Sequence, residues 1–163
     1  MNILLTGFCG TSSELFIKKA DYKSLILPND KIIDSNILLK EISLQEYDFI
    51  FSFGQKPGIK DKIYIETTAR NADSCINTNF GYDKLKDILE SHNIAVRISN
   101  NAGTSFCNAL YWSGLNYIYN QCMDTRMIFL HIPFNKNIAD SELFFKQILA
   151  SLYYFCKKPI GDC

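Results

Sequence analysis

The sequence has no excess of charge of either sign, and it contains no long apolar run. Its 17 lysine and arginine residues balance 17 aspartate and glutamate residues. No basic run exceeds two residues, which argues against nucleic acid or a membrane as a partner, because both require a concentrated positive surface. No stretch approaches the roughly 20 consecutive apolar residues of a membrane-spanning helix.

The first residues also lack the features of a secretory signal. A signal peptide carries a basic lead followed by an apolar segment. Residues 1–7 contain no basic residue and already reach a glycine, a turn-forming residue, at position 7. We therefore expect the protein to act in the cytoplasm.

The cysteine spacing lacks the common zinc and thioredoxin-like motifs. No two of the six cysteines are spaced as C-x-x-C, the pair on which those motifs depend. A reducing compartment disfavours disulfides, so most of these residues are expected to be small, buried apolar side chains. The six are Cys9, Cys75, Cys107, Cys122, Cys156 and Cys163.

What the sequence does contain is enough apolar material for one domain. Apolar residues make up 47% of the 163 residues, there is no internal repeat or linker, and a chain of this length can bury its own core. We therefore predict a single domain over residues 1–163. Its predicted strands are short and rich in β-branched or aromatic residues; they are Asn2–Thr6, Ser24–Leu27, Tyr47–Phe53, Lys62–Glu66, Ala95–Ser99 and Met127–Pro133.

Segments of helical periodicity separate these strands. For one helix, either Asp34 or Ser35 is the expected N-terminal cap. Strands that alternate with helices indicate parallel crossovers, so the predicted fold class is α/β, with a largely parallel sheet covered by helices on both faces. The predicted helices are Ser12–Ala20, Asn36–Ile42, Tyr82–His92, Ser105–Gln121 and Ser141–Cys156.

Residues 99–108, with the sequence SNNAGTSFCN, follow a predicted strand and open a predicted helix. Thr104 or Ser105 can cap that helix, which places Cys107 in its first turn. The unpaired N–H groups and the helix dipole there favour a thiolate over a thiol and can hold a developing oxyanion. A buried cysteine in an amphipathic helix is the alternative interpretation of this segment alone.

The chain has only two histidines. His92 lies near a predicted helix end, where a solvated or C-terminal capping role is typical. His131 ends a strongly apolar strand, where it is either a satisfied core residue or the base of a nucleophile. A cysteine at a helix start and a histidine at a strand end can face each other, and a cysteine nucleophile needs such a base.

A third residue is needed to fix the imidazole tautomer. Glu66 is the best placed acid, because it closes the apolar strand at residues 62–66. An acid in that position is either a helix-capping residue or part of a site. We therefore predict a catalytic group made of Cys107, His131 and Glu66.

Residues 99–108 resemble the nucleophile motif S-N-x-A-G-T-x-x-C-N of pyroglutamyl peptidase type I, a family of cysteine peptidases. Further segments resemble the same family in the same order, thinly but from end to end of the chain. They are LLTGF at 4–8, FGQKPG at 53–58, IYIE at 63–66 followed by Ala69 and Asn71, and HIP at 131–133.

The resemblance implies an α/β sandwich around a twisted sheet, and hydrolysis of the amide that joins an N-terminal 5-oxoproline to a peptide. Cys107 would attack the acyl carbonyl, and His131 would protonate the leaving amine and then activate water. No metal or organic cofactor is implied. The partner is a peptide with N-terminal pyroglutamate, and a homodimer or homotetramer is suggested.

The resemblance also carries substrate-binding roles onto Phe8, Gln55 and Asn71. The departures from the family fall around this pocket rather than on the catalytic group. The family follows its opening Gly-Phe with a Pro-Phe pair, where Phe8 is followed here by Cys-Gly-Thr. It has an arginine after the glutamate segment, where only Arg70 is near, and a longer stretch between positions 66 and 107.

Three functions remain open from the sequence. The first is a peptidase acting on pyroglutamyl peptides. The second is a cysteine hydrolase of the same architecture that acts on another N-terminal cap or a small amide. The third is a non-catalytic binding protein that keeps the fold.

Overall fold

The computed structural model describes residues 1–157. Cys163, one of the six cysteines, and the last residues of the predicted domain therefore lie outside the described part. The strands are β1 (Ile3–Phe8), β2 (Lys23–Leu27), β3 (Phe49–Gln55), β4 (Lys62–Glu66), β5 (Thr68–Asn71), β6 (Ser74–Asn77), β7 (Ala95–Ser99) and β8 (Arg126–Ile132). The helices are α1 (Ser12–Ile17), α2 (Lys31–Leu44), α3 (Tyr82–Ser91), α4 (Phe106–Asn120) and α5 (Ser141–Lys157), with a 3-10 turn at Asn135–Asn137.

Six strands form one sheet in the order β2-β1-β3-β8-β4-β7. All neighbours run parallel except β4 and β8, which are antiparallel. The reversal follows from the short connection at residues 56–61, since a parallel crossover needs a dozen or more residues. The predicted α/β class with a largely parallel sheet is confirmed, with this one antiparallel pair as its exception.

Helices cover both faces of the sheet, also as predicted. The core on one face includes Phe16 from α1, Leu85 from α3 and Phe145 from α5. The core on the other face includes Leu38 from α2 and Leu110 from α4. Within the described residues, no helix is long and apolar enough to cross a membrane.

Helix α2 begins earlier than the sequence predicted. Asp30, rather than Asp34 or Ser35, is its cap, because the Asp30 carboxylate accepts hydrogen bonds of 2.9 Å from the N–H groups of Ile32 and Ile33. These are two of the N–H groups that a helix start leaves without a partner. Asp34 and Ser35 are buried inside the helix instead.

The hairpin of β5 and β6 was not predicted. It pairs antiparallel outside the main sheet, with Thr68 opposite Asn77. Its strands are only four residues long and hold few apolar residues, so their pattern resembles a loop. Ala72, at the turn, has a positive φ of 45°, a conformation that the sequence does not announce with a glycine.

The expectation that most cysteines are buried is wrong for the described part of the chain. Cys107 and Cys156 are buried, whereas Cys9, Cys75 and Cys122 are exposed. The exposed three lie after β1, in the hairpin and just after α4, so each occupies a turn or an edge rather than a face that packs on the sheet. All five are free thiols.

Candidate active site

Cys107 lies in the first turn of α4, as the sequence predicted. Ser105 is the N-terminal cap, and its hydroxyl accepts a hydrogen bond of 3.4 Å from the Cys107 N–H. The side chain of Cys107 is only 3% exposed. The helix therefore directs this thiol towards the sheet rather than to solvent.

The Cys107 sulfur lies directly over Gly54, near the end of β3. A Cβ atom built on Gly54 would be 2.8 Å from the Cys107 Sγ and 3.0 Å from the Phe129 ring. Separations below about 3 Å are too short for these atoms. Only a glycine at this position lets α4 bring its thiol so close to the strand.

His131 and Glu66 form a buried hydrogen-bonded pair on the neighbouring strands. The His131 Nδ1 is 2.7 Å from the Glu66 Oε1, and the two residues are 3% and 0% exposed. A carboxylate can only accept, so Nδ1 carries the proton and Nε2 is left to exchange protons with another group. The predicted orienting acid and histidine are thus within direct contact.

The strand register places the thiol beside this pair. Gly54 and His131 are Cα partners on β3 and β8, and paired residues direct their side chains to the same face of a sheet. The Cys107 sulfur above Gly54 therefore lies next to the position of the imidazole. Of the three residues that the sequence picked out, His131 and Glu66 are in direct contact, and Cys107 lies over the strand that neighbours His131.

Lys56 is a fourth member of the cluster, and the sequence analysis missed it. Its Nζ is 3.0 Å from the Glu66 Oε1 and 3.1 Å from the carbonyl oxygen of Asn101. It also lies 5.3 Å from the centre of the Tyr64 ring. The available signal was its place immediately after the strand end at Gln55, where side chains of parallel folds gather.

For each of Glu66 and His131, burial and hydrogen bonding shift the pKa in opposite directions. Burial alone would raise the pKa of Glu66, but hydrogen bonding to His131 and to Lys56 lowers this pKa overall. Burial lowers the pKa of His131, with a contribution from the Lys56 charge and opposition from Glu66. The imidazole is therefore neutral and the carboxylate ionised near pH 7, the states that a base and its orienting acid require.

The expected low pKa of the Cys107 thiol is wrong. Burial raises this pKa to about 11, and the Ser105 contact opposes the rise only in part. The helix terminus favours the thiolate, but desolvation penalises it more. Cys107 is therefore a neutral thiol in the free protein at pH 7, so its activation requires transfer of the thiol proton to a base during attack.

The predicted substrate residue Phe8 packs on the same face of the sheet as Cys107, whereas Gln55, one residue after Gly54, directs its side chain to the opposite face at the end of β3. Phe8 has no exposed surface; its ring centre lies 4.7 Å from that of Phe106 and 6.4 Å from that of Phe129. Gln55 is half-buried, and its Oε1 accepts from the N–H of Ser12 at 3.2 Å. Gln55 can direct its amide N–H₂ elsewhere, whereas Phe8 reaches a ligand only if Phe106 turns aside.

Asn71, the third predicted substrate residue, lies at the exposed end of β5. The Asn108 side chain holds this strand on α4: its Oδ1 accepts from the Arg70 N–H at 2.9 Å, and its Nδ2 donates to the Arg70 carbonyl at 2.7 Å. Asn71 lines a cavity of about 580 Å³ together with Gly103 and Ser105. The hairpin thus brings Asn71 beside the loop at residues 101–105, which precedes α4 and is called the nucleophile loop below.

Other groups singled out by the sequence lie elsewhere. His92 caps the C-terminus of α3, with its Nδ1 2.9 Å from the carbonyl oxygen of Ile88, as expected. Near the end of α5, Phe155 packs in the core, while Tyr153 and Tyr154 are 52% and 42% exposed. Among residues 1–157, no three His, Cys, Asp or Glu side chains are grouped in a way that could hold a metal ion.

Comparisons with known proteins give a consistent result. No protein-family model matches the chain. It is 29% identical to a pyrrolidone-carboxylate peptidase of Thermosipho melanesiensis, over 99% of this chain and 100% of that protein. It is 28% identical to pyrrolidone-carboxylate peptidase 1 of Caldanaerobacter subterraneus subsp. tengcongensis, over 72% of this chain and 68% of that one.

Solved structures share the fold. A mutant pyrrolidone carboxyl peptidase from Pyrococcus furiosus superposes with a TM-score of 0.85 at 18% identity, over 98% of this chain and 100% of that one. The pyrrolidone carboxyl peptidase of Fervidobacterium islandicum gives 0.85 at 19% identity, over 96% and 99%. Pyroglutamyl peptidase I of Bacillus amyloliquefaciens gives 0.80 at 19%, over 92% and 94%.

Proposed function

We propose that the chain is a divergent member of the pyrrolidone-carboxylate peptidase family, the family that its sequence motifs resemble. Its proposed activity is that of a cysteine-type exopeptidase, which hydrolyses the amide bond after an N-terminal 5-oxoprolyl residue. Cys107 is the proposed nucleophile, His131 its base and Glu66 the orienting acid. The observation that carries this proposal is the 2.7 Å contact between His131 Nδ1 and Glu66 Oε1 on the strand beside the Cys107 thiol.

Acylation begins with a neutral thiol and a neutral imidazole. The Cys107 sulfur attacks the carbonyl carbon of the 5-oxoprolyl group while the Nε2 of His131 takes the thiol proton. Glu66 stabilises the imidazolium that forms. The imidazolium then gives its proton to the amide nitrogen, the C–N bond breaks, and the peptide leaves with a free amine while the acyl group remains on sulfur as a thioester.

Deacylation reverses the proton path. His131 removes a proton from water, the resulting hydroxide attacks the thioester carbonyl, and the C–S bond breaks. The sulfur recovers a proton from the imidazolium, and 5-oxoproline is released. Apart from the Cys107 N–H, which donates to the Ser105 hydroxyl, the first-turn N–H groups of α4 are suitable donors to the oxyanion that forms in both steps, because a helix start leaves such groups without intrahelical partners.

The proposed acyl pocket lies beside Phe106 at the carboxyl end of β3, where Gln55, which leaves the strand on the opposite face from Gly54, would reach the lactam around the strand end. The Gln55 Oε1 is occupied by Ser12, so its amide N–H₂ can donate to the lactam carbonyl. Phe106 is half-buried and lies over Phe8, so the flat lactam ring can stack on Phe106, with Phe8 as its support. Asn71 would act only at the rim, through the nucleophile loop.

The cellular setting forms part of the same proposal. A peptide with N-terminal pyroglutamate is the partner, and the reducing cytoplasm is the compartment in which a thiol nucleophile and the exposed cysteines stay free. We also propose self-association into a dimer or tetramer. Exposed apolar side chains on α5, Leu143 and Tyr153 among them, are suitable material for an interface.

The test is hydrolysis of a fluorogenic pyroglutamyl amide by the reduced protein, in parallel with a prolyl amide and an N-acetylalanyl amide. We expect cleavage of the pyroglutamyl compound alone, because only its ring offers both a flat face for Phe106 and a carbonyl for Gln55. Pretreatment with a thiol-alkylating reagent at high pH, where Cys107 ionises, should abolish this cleavage.

The same assay distinguishes the proposed activity from a second candidate function, hydrolysis of an amide after another small N-terminal cap. A buried Phe8 and a Cys-Gly-Thr sequence after it leave a smaller aromatic wall than the family has, which favours a hydrolase of another small N-terminal cap. Cleavage of the acetylalanyl amide with no cleavage of the pyroglutamyl amide would replace the proposed substrate by that class. No cleavage of any amide by folded, reduced protein would contradict the catalytic proposal.

Lys56→Met should move the acid limb of the kcat/KM profile to higher pH. The Lys56 charge lowers the pKa of His131, so its removal raises that pKa. Because the base must be neutral, activity then begins to fall at a higher pH as the solution is acidified. The profile is measured with the fluorogenic pyroglutamyl amide between pH 4.5 and 9.

Lys60→Met is the matched control, since Lys60 is exposed in the same connection and has no ion pair with Glu66. It removes the same charge from the protein without touching the Glu66–His131 pair. An acid limb that moves equally in both variants would mean that Lys56 acts only through net charge.

A further inference from the structure

One row of residues runs across four strands of the sheet from the thiol to the sheet edge. Gly54 pairs with His131, His131 with Tyr64, and Tyr64 with Arg97. Cα partners point to the same face, so the Cys107 sulfur above Gly54, the imidazole, the phenol ring and the guanidinium lie in line. Three strand spacings of about 4.8 Å separate the two ends of the row, or about 14 Å in total.

The outer half of this row is an open groove. A cavity of about 630 Å³ is lined there by Lys56, Tyr64, Arg97 and the polar residues Thr67, Asn100 and Asn101. The Lys56 Nζ and the Arg97 guanidinium carbon each lie 5.3 Å from the centre of the Tyr64 ring. Arg97 also donates from Nη1 to the Tyr64 hydroxyl at 3.4 Å.

The two cationic side chains of the groove differ in whether a carboxylate neutralises their charge. Lys56 is paired with Glu66, at 3.0 Å. Arg97 has no carboxylate within 4.0 Å among residues 1–157. A guanidinium held over a ring without an acid in reach leaves the groove with a net positive charge, and its planar donors suit a carboxylate.

We propose that this groove is the leaving-group subsite and that Arg97 binds the terminal carboxylate of a short leaving peptide. This inference rests on the proposed function, because the leaving amine starts at His131. From the imidazole to Arg97 are two strand spacings, about 10 Å. An extended residue spans about 3.3–3.6 Å, so a leaving dipeptide covers about 7 Å across Tyr64, and a hydrogen bond of about 2.9 Å from the guanidinium to its carboxylate covers the rest.

The specificity that follows is for pyroglutamyl tripeptides with a free C-terminus. Amidation of that C-terminus removes the charge while keeping the length, so pyroglutamyl-Ala-Ala and its amide form a matched substrate pair. We expect wild-type kcat/KM to favour the free acid by about fivefold, the range of a partly exposed ion pair. The difference should appear in KM, because the contact is the same before and after attack.

Arg97→Gln should remove the preference for the acid, so that the acid-to-amide ratio of kcat/KM falls to about one. Arg97→Lys should keep part of it, since a point charge remains without the planar fork. Arg126→Gln is the control: Arg126 begins β8, at the opposite end of the strand from His131, and should keep the full preference. An acid-to-amide ratio that is the same in wild type and Arg97→Gln would overturn the subsite.

A binding measurement separates this inference from the proposed function. Calorimetric titration of Cys107→Ser with the same two tripeptides should show about fivefold tighter binding of the acid, lost in Cys107→Ser/Arg97→Gln. Arg97-dependent binding without any wild-type cleavage would refute the proposed activity and support the subsite. Cleavage of both tripeptides with no Arg97-dependent difference would support the activity and refute the subsite. Equal Arg97-dependent binding of pyroglutamyl-Glu-Ala amide would refute terminal-carboxylate recognition in favour of an acidic side chain.

Discussion

Cys107→Ser is expected to lower kcat/KM for the pyroglutamyl amide by at least about 10³-fold while leaving the fold intact. The hydroxyl is close in size to the thiol, so it fits above Gly54 without a new clash. It is a much weaker nucleophile than sulfur, and the neutral imidazole of His131 is a poor base for a group whose pKa is far higher. Stopped assays with active-site titration measure the loss.

The matched variants are His131→Ala and the double variant Cys107→Ser/His131→Ala. Residues that act as a unit give non-additive losses, so the double variant should be no slower than the worse single one, within a factor of a few. Losses that multiply would indicate that the two side chains act in separate steps. Thermal unfolding of all three proteins checks that the activity, rather than the fold, has been lost.

The proposed catalytic residues could be predicted from the sequence, whereas their environment could not. Cys107, Glu66 and His131 stand at element ends, and a strand end or helix start is visible in the local pattern of the sequence. Their approach to one another depends on the register of β3, β4 and β8, which links positions 54, 131 and 64. No local pattern in the sequence contains that register. The sequence therefore indicated the three candidate residues, and only the structure shows how their strands bring them near one another.

The thiol pKa shows where local reasoning fails. The position of Cys107 in the first helical turn is a property of residues 104–108, and it was predicted correctly. The burial that raises its pKa to about 11 comes from Phe129 and the strand beneath it, which are distant in sequence. Lys56 was missed for the same reason, since its partner Glu66 is identified only once β4 folds back beside β8.

In the proposed mechanism, a neutral thiol and a neutral imidazole become charged only when the substrate is bound. Charge forms on Cys107 and His131 only as the proton moves, and Glu66 with Lys56 provides fixed charge beside the imidazole before the substrate arrives. Such preorganised charge is more effective in a dry site than in water. The exposed cysteines Cys9, Cys75 and Cys122 lie outside this cluster.

Gly54→Ala should lower kcat/KM by about 100-fold, because a displacement of about 1 Å at the reacting group has such an effect. The added methyl would lie 2.8 Å from the Cys107 Sγ and 3.0 and 3.1 Å from two carbons of the Phe129 ring. The ring is fully buried and cannot yield easily, so the first turn of α4 must move away from His131. Steady-state kinetics and thermal unfolding measure the effect, with a stability loss of roughly 1–3 kcal/mol.

Gly114→Ala is its control, in the same helix and against the same sheet face. Its methyl would meet the Met127 side chain, with the Sδ at 2.5 Å, and Leu38 at 3.1 Å. The strain is of the same kind but falls on a flexible thioether in the helix interior, where alanine also gains about 1 kcal/mol of helix propensity over glycine. Activity per folded molecule should be unchanged. If Gly54→Ala kept full activity while Gly114→Ala lost it, the thiol above Gly54 would not be the nucleophile, and the position of Cys107 over β3 would be only a matter of packing.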